Sequence, residues 1–84
     1  MIEQIVKNQL DTADETDVMA ATIYLDPQED YGSLSQFVCE LIDSTEGRIQ
    51  NWSLNKKLCA ISLIANKKAI LDISKNQYVI KVTR

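Results

Sequence analysis

Apolar positions fall at helical spacing through much of the first half of the chain and gather into β-branched runs in the second. Ile2, Ile5, Val6 and Leu10 recur at intervals of three to four, which predicts a short amphipathic helix over residues 2–10. The polar stretch D-T-A-D-E-T-D at 11–17 is either a loop or a helix start, with Thr12 and Glu15 at capping-box spacing. V-M-A-A-T-I-Y-L at 18–25 ends in strand formers, so its second half predicts a strand. D-P-Q-E-D-Y-G-S at 26–33 holds the only proline and one of two glycines, which marks a break. Ser33 is a suitable N-cap for a helix from Leu34 to about Ile42, with Leu34, Phe37, Val38, Leu41 and Ile42 on one face.

Asp43 and Ser44 then read as a turn, and Thr45 as the cap of a further helix that carries Ile49 and Trp52 three apart on its buried side. Glu46 falls in its first turn, and Asn55 suits its C-terminal end. Beyond it, 58–64, 69–73 and 78–82 are apolar and β-branched, separated by the short polar turns A-N-K-K and S-K-N-Q. These predict an antiparallel meander. The expected fold is α+β: a small winged helix-turn-helix, N-terminal helices followed by a C-terminal β-meander. It forms a single domain over 1–84, with an acidic segment at 1–32, the helix-turn-helix plus wing at 33–73 and a last strand at 74–84.

A helix-turn-helix needs a small residue where its helices cross and apolar pins beneath the second helix. Cys39 fills the first role; Val38, Ile42, Ile49 and Trp52 fill the second. The second helix then enters the major groove with its N-terminal side chains at base edges. That places Thr45, Arg48, Gln50 and Asn51 within reach of duplex DNA, where Arg pairs with guanine and Gln or Asn with adenine. Trp52 is a core residue on either reading.

Composition narrows the classes. With 84 residues, 45% hydrophobic and 25% charged, the chain is an ordinary globular domain small enough to gain from self-association. No apolar run approaches the length of a membrane span. M-I-E-Q-I-V-K lacks the basic and apolar regions of a signal peptide, and the two cysteines read as buried hydrophobes, so a cytoplasmic setting is expected. Histidine is absent and the cysteines are far apart, so no metal, cofactor or catalytic constellation is expected. The acids at 26, 29 and 30 lack the alternation and closing Glu of a calcium loop.

The net charge of −3 conceals a division: residues 1–46 carry eleven acids against Lys7, whereas residues 47–84 carry eight bases against Asp72. Such asymmetry signals either nucleic-acid contact or two solvated faces that attract each other within the fold. The basic residues at the predicted turns, Lys56, Lys57, Lys67 and Lys68, then divide between phosphate grip and solvated turn.

The run L-I-D-S-T-E-G-R-I at 41–49, Trp52, and K-L-C-A-I-S-L at 57–63 together resemble small phage excisionases and Cox-type regulators, whose winged heads are similar to those of MerR-like activators. The resemblance covers 37–73. Asp43, Asn55 and Cys59 stand where that family usually has glycine, glycine and proline. It implies a non-enzymatic regulator that bends or coats attachment-site DNA, steers a recombinase towards excision and represses a nearby promoter. Lys56, Lys57, Lys67 and Lys68 would supply the phosphate contacts, with the steep salt dependence that follows. The competing reading is an acidic protein-interaction module, such as a phage-encoded inhibitor of anti-defence or immunity type. It would bind a host protein through Asp11, Asp14, Glu15 and Asp17 and a sheet edge. Overall acidity favours this second class, whereas the motif and the division of charge favour the DNA-binding regulator, which stays slightly ahead. The C-terminal strand is also a plausible edge for pairing between chains.

Overall fold

A computed structural model describes residues 2, 4–14, 17–46 and 48–83, with Ile5 described by its backbone alone. Three helices and four strands alternate along the chain: α1 (Gln4–Thr12), β1 (Val18–Leu25), α2 (Leu34–Asp43), β2 (Ile49–Asn55), β3 (Ala60–Asn66), α3 (Lys67–Ser74) and β4 (Val79–Thr83). The strands form one sheet in the order β2-β3-β1-β4, with every neighbouring pair antiparallel. β1 and β2 therefore run the same way with β3 between them, and β3 and β4 run the same way with β1 between them. This is a pair of interleaved split β-α-β units, the ferredoxin-like arrangement, preceded by α1.

Alternation along the central strands decides which face is covered. Ala21, Ile23 and Leu25 of β1 are buried, as are Ile61, Leu63 and Ala65 of β3. The register joins them in rows, Trp52–Leu63–Ala21 and Leu54–Ile61–Ile23–Val82. The helices lay their apolar stripes on this face. Val6 and Leu10 of α1, Val38 of α2, and Ala69, Ile70 and Ile73 of α3 belong to the same core cluster. Fully burying one such isoleucine contributes about 2–3 kcal/mol. At one end of the sheet, Tyr31, Phe37 and Tyr78 close the core, with ring centroids 4.7, 5.5 and 5.6 Å apart.

Several expectations hold in outline. α1 overlaps the predicted 2–10 helix, the strand expected in the second half of 18–25 forms but begins already at Val18, and Ser33 caps α2 by accepting a hydrogen bond from the Gln36 N–H at 3.3 Å. The winged helix-turn-helix does not form, and neither does the meander. Residues 49–55, predicted as a recognition helix, are strand β2. Ile49 pairs with Ala65 and Asn51 with Ile64, so Gln50 is an extra, bulged residue. A bulge sends residues three apart to one face of a strand, so Ile49 and Trp52 share the core side and imitate a helical period.

Residues 69–73, predicted as a strand, lie in α3. Asn66 is its N-cap, its Oδ1 accepting from the Ala69 N–H at 2.9 Å, so A-N-K-K is a helix start rather than a β-turn. The three C-terminal segments consequently do not follow one another in the sheet: β3 and β4 are separated in space by β1. Cys39, assigned to a helix crossing and read as buried, is exposed on α2, whereas Cys59 is buried. Asp43 ends α2, and Glu46 takes a left-handed conformation (φ 58°) before β2 begins. Residues 18–25 form a central strand, so the acidic first third is integral to the core. The capping-box expectation rested on Glu15, which lies outside the described residues.

Candidate interaction surface

The residues expected to read DNA do not share a surface. Thr45 is 1% exposed, its Oγ1 donating to the Ile42 carbonyl at 2.6 Å, and so presents nothing to a ligand. Arg48 precedes β2 and is tied to Asp72 of α3 at 3.1 Å and to Glu46 at 3.8 Å. Gln50 and Asn51 are exposed but sit on a strand, Gln50 as the bulge. Lys56 and Lys57 are exposed in the β2–β3 hairpin, whereas Lys67 and Lys68 begin α3 at the other end of β3. A seven-residue strand separates the two lysine pairs, a span of about 20 Å.

The charge division of the sequence dissolves in the topology. The pairing Val18–Asn66 brings Asp17 to the end where Lys67 and Lys68 start α3. The Leu25 N–H donates to the Cys59 carbonyl, which brings the acidic 26–30 loop to the hairpin that carries Lys56 and Lys57. Acid and base therefore mix at both ends of the sheet. Asp11, Asp14 and Asp17 are exposed, Asp17 Oδ2 accepting from the Asp14 N–H at 3.1 Å, and none of the three is ion-paired among the described residues. Glu15, the fourth acid of that set, lies outside the described residues.

A further uncommitted surface is one that the sequence did not single out. The helices cover one face of the sheet, and the opposite face is largely uncovered, Ala60 being its one buried residue among the described ones. That open face carries Ala20, Thr22 and Tyr24 of β1, Asn51 and Ser53 of β2, Ser62 and Ile64 of β3, and Lys81 and Thr83 of β4. Ala20, Asn51, Ser53, Ser62, Ile64 and Lys81 are all exposed. A shallow depression of about 300 Å³ lies at its centre between Ala20, Thr22, Asn51, Ser53, Ser62 and Ile64. At one margin the Lys81 ammonium sits 6.0 Å from the centre of the Tyr24 ring. The available signal was the polar or small residues Ala20, Thr22, Ala60 and Ser62 at alternate positions of β1 and β3, broken by Val18 and Ile64, and these side chains carry no chemistry that marks a site.

Among the described residues the face supplies hydrogen-bonding groups and small apolar patches and includes no carboxylate. Elsewhere, burial pushes the Tyr31 phenol up to about 12, helped by the negative charges of Cys59, Asp26, Glu29 and Tyr78 when ionised. Its hydroxyl donates to the Asp26 carbonyl at 2.7 Å. Burial, with Asp26 nearby, also raises the Cys59 thiol. These groups close the core at one end of the sheet and meet no nucleophile–base pair. Among the described residues no cluster of Cys, Asp and Glu has the geometry of a metal site, and no helix is long and apolar enough to cross a membrane. The chain matches no family model, no curated protein and no solved structure.

Proposed function

We propose that the chain is a non-enzymatic protein-interaction module that binds a protein partner through the open face of its sheet. The carrying observation is the asymmetry of the sheet, packed by three helices on one side and bare on the other. Split β-α-β architecture hosts many unrelated functions and carries no weight by itself. The chemistry of the face does. Small residues on the central strands allow a partner backbone to approach closely, and Thr22, Asn51, Ser53 and Ser62 offer donors and acceptors to it. Sheets that bind single-stranded nucleic acid rely on several stacking aromatics and a cationic groove. Among the described residues this face has one ring and one cation, on a chain of net charge −3. Duplex binding has lost the helix that was to enter the groove.

An inhibitor or immunity-type role suits such a module, since occupying a partner's surface needs no chemistry of its own. Two free thiols fit a cytoplasmic setting. The test uses immobilised full chain and its captured partners. Ala20→Arg and Ser62→Arg, each placing a bulky cation on the open face, should abolish capture that wild type and the helix-layer control Gln36→Ala retain. Equal capture by all four proteins refutes the reading. So does a duplex-DNA gel shift at low salt that Lys56→Glu/Lys57→Glu removes, which would return the chain to the regulator class.

A further inference from the structure

We draw no further inference here: the strongest candidate, the row of hydroxyls that the strand register sets across the open face of the sheet at Ser53, Ser62, Thr22 and Thr83, belongs to the surface already described, and nothing in the structure shows what covers it.

Discussion

Asn66 decides between the helix that follows β3 and the basic β-turn that its sequence suggests. Its side-chain oxygen satisfies the N–H of Ala69 at 2.9 Å from an extended backbone (φ −78°, ψ 167°). Asn66→Ala deletes that acceptor. N-cap losses run about 0.5–2 kcal/mol. Ala69 is fully buried, so water replaces the lost partner poorly and the cost falls in the upper half of that range, about 1.5 kcal/mol. α3 itself stays docked, because Ile70 and Ile73 each hold about 2–3 kcal/mol of buried surface. For a domain of this size the loss lowers Tm by about 6–12 °C, measured by circular dichroism. Asn66→Asp keeps the acceptor and adds a favourable negative charge at the helix start, so it should lie within about 0.5 kcal/mol of wild type. If Asn66→Ala moved Tm by less than about 2 °C, the capping geometry would be wrong and residues 66–68 would be a turn.

Other consequences are direct. Arg48→Ala should cost under about 1 kcal/mol, the worth of a part-exposed ion pair, and the cost should shrink in high salt. A larger, salt-insensitive loss in urea titration would mean that the Asp72 pair is more than a surface tie. Thiol titration of the folded chain should label Cys39 rapidly and Cys59 only on unfolding, since Cys59 is buried and its thiol is raised; equal rates would contradict that burial. The Tyr31 phenol has an ordinary value of 10.0 and is raised to about 12 in the fold. Between those values the unfolded chain has released the proton and the folded chain retains it. Stability should therefore fall as pH rises from 10.0 towards 12, with no contribution to the slope below that window. Tyr31→Phe should flatten this decline in alkaline urea melts, and an unchanged slope would exclude Tyr31 as its source.

What could be read from the chain was mostly local. α2 is legible because Ser33 and the i, i+3, i+4 stripe of Leu34, Phe37, Val38 and Leu41 agree with one another. β1 is legible from its β-branched end. α3 is not, because A-I-L-D-I is too short a run for its period to separate helix from strand, and only the Asn66 cap tips it. The strand order was hidden because it depends on pairings between distant residues, such as Tyr24 with Ala60 and with Lys81. The surface was the least legible part. Division of charge between halves of a sequence implies a division in space only when the halves are separate layers. Here β1 from the acidic half lies between β3 and β4 from the basic half, so the segregation is undone. The open face stayed invisible for the opposite reason: Ala20, Thr22 and Ser62 matter through being small and left uncovered by the helices, and whether a helix covers them is not written in residue type.

The strand at Ile49–Asn55 can itself be tested, because a strand and a helix respond differently to losing one residue. On β3, Ala65, Ile64 and Leu63 are consecutive, and they face Ile49, Asn51 and Trp52. Deleting Gln50 therefore removes the one residue with no partner and leaves Ile49, Asn51 and Trp52 in unbroken alternation, core, open face, core. The register with β3 survives. The lost contacts are those of an exposed side chain, and the release of one ordered backbone residue offsets adjustment of the turn in which the Arg48 N–H donates to the Thr45 carbonyl at 3.3 Å. The net change should stay within about 1 kcal/mol. In a helix the same deletion would turn Ile49 about 100° relative to Trp52 and expose one of them, at about 1.5–3 kcal/mol. Urea titration followed by Trp52 fluorescence separates the two outcomes. A loss of the larger size would mean that residues 49–52 need their helical spacing, and the open face built on β2 and β3 would go with it.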